Sequence, residues 1–137
     1  LMFDTDDFKK VNDTLGHSAG DKILALVAQA TAAQMRSVDI LARYGGDEFI
    51  ILLSQTSAKQ AYPIAERIRN SVAGLKMPSE KGTVSVTLSS GMAEIQYEPA
   101  DESVEHIVQR ADKALYAVKQ AGRNRAMIYD PSVNGAA

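Results

Sequence analysis

The stretch "ARYGGDEFIILL", Ala42 to Leu53, constrains the fold more than any other part of the chain. Two apolar runs of strand character, Ile40 to Tyr44 and Phe49 to Leu53, lie so close together that only a hairpin can join them. Gly45 and Gly46 supply the permissive backbone angles that the turn requires. Asp47 and Glu48 therefore stand at the hairpin tip, either as solvated turn residues or as ligands for something the turn holds.

The remaining segments alternate around this hairpin. Leu1 to Phe3 read as the end of a buried strand that delivers Asp4 to its C-terminal edge. "TDDFKKVNDTLG" follows as a short helix closed by Gly16. In "SAGDKILALVAQATAAQMR", Ile23, Leu24, Leu26, Val27, Ala30 and Ala33 recur at helical spacing. Ser57 with Gln60 three residues on forms a capping-box pattern for a helix over "AKQAYPIAERIRNSVAGL" that ends near Gly74, with Pro63 placed near its first turn. "GTVSVTLSSGMAEI" reads as one strand or as a hairpin pair. After a break at Pro99, Val104, Ile107, Val108, Ala111, Leu115, Tyr116 and Val118 mark one face of a long helix, with Gly122 at its C-terminal cap. "AMIYD" is a last short strand, and "PSVNGAA" reads as a loose tail.

The order predicts an α+β fold of β-α-α-β-β-α-β-α-β type, a ferredoxin-like elaboration in which helices flank a largely antiparallel central sheet. One domain over residues 1–130 and a tail over 131–137 account for all 137 residues, a length that buries a sufficient core without disulfides or structural metal. The sequence has no cysteine, which suits a reducing, cytoplasmic setting. A formal net charge of -2 argues against a general nucleic-acid binder, so any phosphate ligand is held locally. The longest apolar runs fall far short of the roughly 20 residues of a membrane span, and no basic-then-apolar leader opens the chain. No membrane contact is expected of this segment. "LMFD" looks like the tail of a strand with nothing before it, the mark of a fragment of a longer protein.

In a β-α-β-β core the first and third strands commonly pair, so Asp4 and the tip acids Asp47 and Glu48 can meet at one edge. Three carboxylates there raise one another's pKa unless a cation neutralises them. Hard oxygen ligands of this kind suit Mg²⁺ bridging to substrate phosphates.

Three separated motifs, "DTDDFKKVNDTLGHSAGD", "RYGGDEF" and "RADKALYAVKQAGRNR", together closely resemble the GGDEF domain family of diguanylate cyclases over almost the whole chain. The resemblance implies a palm-like fold shared with nucleotidyl cyclases and some polymerases. It also implies condensation of two GTP molecules into cyclic di-GMP and pyrophosphate across a homodimer, each 3′-hydroxyl attacking the other nucleotide's α-phosphate with the help of Mg²⁺ or Mn²⁺. By matching positions, Asp4, the backbone carbonyl of Thr5, Asp47 and Glu48 are the metal ligands, and Asp47 assists deprotonation of the 3′-hydroxyl. Asn12 and Asp21 match the guanine-reading pair, an amide and a carboxylate facing guanine's N1–H and exocyclic amine, an edge at which adenine presents the reverse pattern. Backbone N–H groups at Asp7 and Phe8, with Lys9, Lys119 and Arg123, match the phosphate contacts. Asp6, Phe8 and His17 also fit the pattern and are assigned to supporting structure, His17 as a hydrogen-bonded structural histidine, and His106 is expected to be exposed.

"RSVD", Arg36 to Asp39, is followed by five residues and then Gly45, the spacing of the family's inhibitory RxxD motif for cyclic di-GMP, and Arg67 falls where some members supply a second arginine. Arginine's planar guanidinium forks onto phosphate and stacks on guanine, while aspartate accepts from the base. The bland alternative is a surface ion pair. Family members usually begin with a helix and a "DxLTxLxNR"-like turn that this chain lacks, and they are joined to an upstream sensor domain. Two other classes compete with this reading. A non-catalytic cyclic di-GMP or GTP sensor has no need of the metal acids, and an RNA-binding domain on the related framework is opposed by the acidic charge and the lack of clustered sheet aromatics.

Overall fold

A computed structural model describes residues 1–96 and 102–134. Along the chain run β1 (Met2–Thr5), α1 (Phe8–Leu15), α2 (His17–Ala32), β2 (Ile40–Gly45), β3 (Glu48–Leu52), α3 (Ala58–Ala73), β4 (Met77–Ser79), β5 (Gly82–Val84), β6 (Leu88–Met92), α4 (Val104–Gln120), β7 (Ala126–Ile128) and α5 (Pro131–Asn134). The main sheet has the order β2-β3-β1-β6-β7, antiparallel throughout except for the β6–β7 pair. The expected α+β class and the β2–β3 hairpin are both present.

Strand alternation divides the side chains between two layers. Phe3 and Phe49 lie opposite each other in the β1–β3 register and stack with centroids 5.1 Å apart. They anchor the larger core with Ile23, Leu24 and Val27 of α2, Ile68 and Val72 of α3, and Leu88 of β6. Met2 points the other way, into a smaller cluster with Ala111 and Leu115 of α4. So α2 and α3 cover one face of the sheet and α4 the other. Gly91 makes the α4 packing possible: a Cβ there would lie 2.1 Å from the carbonyl of Ala111 and 2.3 Å from the amide of Leu115.

Four expectations need correction. "GTVSVTLSSGMAEI" is neither one strand nor a hairpin with itself. Its first part, β5, pairs with β4, a strand hidden in the sequence by Pro78, while β6 joins the main sheet. Pro63 is the sixth residue of α3 and so lies in its second turn, because the Ser57–Gln60 capping box fixes the helix start at Ala58. Residues 131–134 form α5 rather than a loose tail: Pro131 takes the first helical position and Asp130 Oδ1 accepts from Ser132 N and Oγ. His17 is exposed as the first residue of α2 and is not a packed structural histidine, whereas His106 is exposed as expected. The break expected at Pro99 lies outside the described residues.

Candidate active site

The edge where β1 ends and β3 begins carries the acids. Antiparallel register sets Asp4 directly opposite Glu48, and Thr5 N donates to the carbonyl of Asp47 at 3.3 Å, tying the hairpin tip to the end of β1. A register shift between Arg43 and Gly45, with Gly46 at φ 46°, bends the tip, and Arg43 Nε secures it by donating to the Gly46 carbonyl at 2.8 Å. Asp4 and Glu48 share the sheet face covered by α4, while Phe3 and Phe49 point away from it. Asp4 is buried, and Asp47 and Glu48 are half-buried.

Burial pushes the Asp4 carboxyl from its ordinary 3.8 up to about 6. Lys119, from the last turn of α4, donates to Asp4 Oδ2 and pulls the other way, while the negative charges of Asp47 and Asp6 add to the rise. The single ammonium does not offset desolvation. Among the described residues no three acid or histidine side chains stand close enough to ligate one ion, so the three acids meet at one edge, as expected, without closing on a common point. The donor set is nonetheless all oxygen, and a buried carboxyl that resists ionisation beside one ammonium is relieved by a cation of higher charge. These residues fit a divalent metal.

Next to the acids lie the residues expected from the sequence to contact phosphate. Asp7 is left-handed (φ 55°) and places no side-chain cap on α1; Lys10 N donates to the Asp7 carbonyl at 2.9 Å, and Lys9 is exposed at this helix start. Lys119 and Arg123 arrive from α4. The helix ends in a Schellman arrangement: Gly122 N donates to Lys119 O at 3.4 Å and Arg123 N to Val118 O at 3.1 Å. Gly122 is therefore a C-terminal glycine, as expected, but Arg123 is not in the last turn. It stands in a left-handed run with Gly122 and Asn124, its Nε 3.9 Å from Asp7 Oδ1. Asp6 supports the run. Its carboxylate accepts from Thr87 Oγ1 and Ser89 Oγ at 2.6 Å each and from Asn124 N at 3.1 Å.

Asn12 and Asp21, expected from the sequence to read guanine, lie where α1 crosses α2. A Cβ on Gly20 would stand 1.9 Å from Asn12 Oδ1 and 3.0 Å from Phe8 Cζ. The missing side chain lets Asn12 rest against the backbone just before Asp21, whose own side chain is exposed. Lys81, at the tip of the β4–β5 hairpin, donates to Thr14 O at 2.8 Å and holds the end of α1.

On the far side of the domain, Arg36 and Asp39 face each other before β2. Arg36 Nε and Nη2 fork onto Asp39 at 3.1 and 2.8 Å, and Nη2 also donates to the Ser54 carbonyl and to Thr56 Oγ1. The fork holds the Asp39 carboxyl below its ordinary range. Both residues line an open cavity of about 320 Å³ together with Gln34, Thr56, Gln60 and Arg67. Arg67 Nη2 donates to Gln34 O at 2.8 Å. The structure thus brings the RxxD pair and Arg67 to one cavity within a single chain.

Residues 1–125 match the family model described as diguanylate cyclase, GGDEF domain. The chain belongs to the GGDEF family. It is 47% identical over 128 residues to diguanylate cyclase A of Treponema denticola, covering 93% of this chain and 34% of that protein. Among solved structures it superposes on diguanylate cyclase SiaD in complex with its activator SiaC from Pseudomonas aeruginosa, with TM-score 0.87 and 40% identity over 93% of this chain and 48% of that one. It also superposes on the GGDEF domain of DgcB from Caulobacter crescentus in complex with c-di-GMP, with TM-score 0.86 and 34% identity over 93% and 75% of the two chains. The fold is therefore the GGDEF fold. Sequence reading of this GGDEF domain missed Gly20, Ser89, Arg69 and Asn124. Of these only Gly20 left a signal, a glycine inside a helical pattern, which often marks close backbone approach.

Proposed function

We propose that this chain is the catalytic domain of a diguanylate cyclase. Two GTP molecules are condensed into cyclic di-GMP: each 3′-oxygen forms a bond to the other nucleotide's α-phosphorus, and two pyrophosphates leave. The observation that carries this reading is the β1–β3 register, which sets a buried, hard-to-ionise Asp4 opposite Glu48 beside Lys119 at the C-terminal end of α4.

Asp4, Glu48, Asp47 and the Thr5 carbonyl would hold Mg²⁺ or Mn²⁺, which when bound neutralises the triphosphate and lowers the acidity threshold of the attacking hydroxyl. Asp47 accepts the hydroxyl proton. The α1 amides at Asp7 and Phe8, with Lys9, Lys119 and Arg123, position the phosphates. Asn12 and Asp21 select guanine. One chain supplies one nucleotide half-site, so turnover requires a homodimer, which an upstream regulatory domain controls. Product inhibition acts through the cavity of Arg36, Asp39 and Arg67, where a guanine or phosphate group competes for the fork that now joins Arg36 to Asp39. Among the described residues no helix is long and apolar enough to cross a membrane. The site's substrate places it in the cytoplasm, and neither nucleic acid nor membrane is a partner of this segment.

The test is incubation of the chain, tethered as a dimer, with GTP and Mg²⁺, followed by mass analysis for cyclic di-GMP. Product is expected, and Asp47→Ala should abolish it. A folded dimer that binds cyclic di-GMP but makes none rejects the cyclase and leaves a binding module built on the Arg36 cavity.

A further inference from the structure

The turn that carries Arg123 is held from two sides. Gly122, Arg123 and Asn124 have φ of 102°, 62° and 48° in succession. Glycine and asparagine tolerate this region, but for an arginine it is strained and persists only where neighbours enforce it. The Asn124 backbone N–H supplies one anchor, donating to Asp6 Oδ2 and to Ser89 Oγ at 3.1 Å each. The Asn124 side chain supplies the other: its Oδ1 accepts from Arg69 Nη1 of α3 at 2.9 Å. Arg69 is itself fixed. Its Nε and Nη2 fork onto Glu66, one helical turn back, at 2.9 to 3.2 Å, and Nη2 also reaches Asn70 Oδ1 at 2.8 Å. With its guanidinium plane set by Glu66 and its side chain 17% exposed, Arg69 presents a pre-oriented donor to the turn.

We propose that Arg69 and Asn124 are positioning residues for the phosphate end of the site, locking the left-handed turn so that Arg123 faces the nucleotide phosphates. Neither touches the nucleotide; both act through Arg123. The inference rests on the reading of Arg123 as a triphosphate ligand. Since Arg69 lies 55 residues from Asn124 in sequence, a packing contact alone would also explain the bond. The two roles differ in what they predict for nucleotide binding.

The experiment is a double-mutant cycle on the intact chain, read as GTP affinity by equilibrium binding, with urea unfolding of each variant in parallel. Arg123→Met is expected to weaken GTP about tenfold, the loss of a charge-assisted hydrogen bond. Arg69→Met is expected to weaken GTP several-fold, and the double variant to bind no more weakly than Arg123→Met alone. Wild-type affinity in Arg69→Met, or losses that multiply in the double variant, overturns the positioning role while leaving the phosphate site intact. Wild-type affinity in Arg123→Met overturns the phosphate assignment and this inference with it. Asn124→Gly keeps the left-handed backbone and its N–H bonds and removes only the acceptor for Arg69. It should match Arg69→Met in GTP affinity, and it carries the test if Arg69→Met does not fold.

Discussion

Replacing Asp4 with asparagine should make this domain more stable and inactive at once. A carboxyl raised from 3.8 to about 6 is harder to ionise in the folded chain by about 3 kcal/mol, at 1.36 kcal/mol per tenfold change in acidity. Asparagine never ionises, so at neutral pH Asp4→Asn escapes that cost, though its amide accepts a weaker hydrogen bond from Lys119. The net gain is about 1–3 kcal/mol, or roughly 3–10 °C in Tm for a domain of this size. The pH dependence has a definite sign. A raised carboxyl binds its proton more tightly folded than unfolded, so its stabilisation is full below 3.8 and is lost as pH rises through about 6. The advantage of the asparagine variant should therefore be constant above pH 7 and smaller by about 2 kcal/mol at pH 4.5. Urea unfolding in chelator at pH 8 and 4.5 measures both. Millimolar Mg²⁺ should stabilise the wild type and narrow the gap at pH 8, because only the wild type keeps the full donor set. A variant less stable at pH 8, or an advantage undiminished at pH 4.5, refutes the burial argument for Asp4.

Three further outcomes follow from the geometry. Gly20→Ala should displace the Asn12 amide, since the added Cβ would lie 1.9 Å from its Oδ1; GTP binding should weaken about tenfold while urea unfolding shows a loss of about 1–3 kcal/mol. Unchanged GTP affinity would move the guanine site elsewhere. Gly91→Ala meets backbone rather than a yielding side chain, at 2.1 and 2.3 Å, so α4 must shift and unfolding should become easier by about 3 kcal/mol; wild-type stability would contradict the α4 packing. Arg36→Ala should raise the cyclic di-GMP concentration for half-inhibition about tenfold or more, as expected for a lost charged hydrogen-bonding partner. In that variant Asp39 loses the fork that depresses its pKa, so the stability gap to the wild type should close as pH falls below about 3.8. Inhibition unaffected by the change would reduce the Arg36–Asp39 fork to a surface ion pair.

Local chemistry made much of this domain legible in the sequence. The hairpin at Gly45 and Gly46, the capping box at Ser57 and the glycine stop at 122 depend on residues within a few positions of one another, and each stands where it was read. The three family motifs also named the family, which the match over residues 1–125 bears out. Local rules misled where a neighbour in space outweighed a neighbour in sequence. Pro78 argues against a strand, yet β4 forms because β5 pairs with it. Residues 131–134 are a different case, a local signal overlooked: Asp130 and Pro131 start a turn of helix.

By itself the sequence determined which groups are candidates for the site: hard oxygen acids, an amide and a carboxylate to read a base, cations and an RxxD pair. Tertiary structure alone decided how they are poised. Asp4 and Lys119 lie 115 residues apart, and only α4 packing on Gly91 brings the ammonium to the acid. Arg67 and Arg69 are near neighbours in sequence, yet α3 turns one into the Arg36 cavity and the other onto the Asn124 turn. The rise of Asp4 to about 6 has no trace in the sequence, because desolvation belongs to the packed sheet edge and not to the residue.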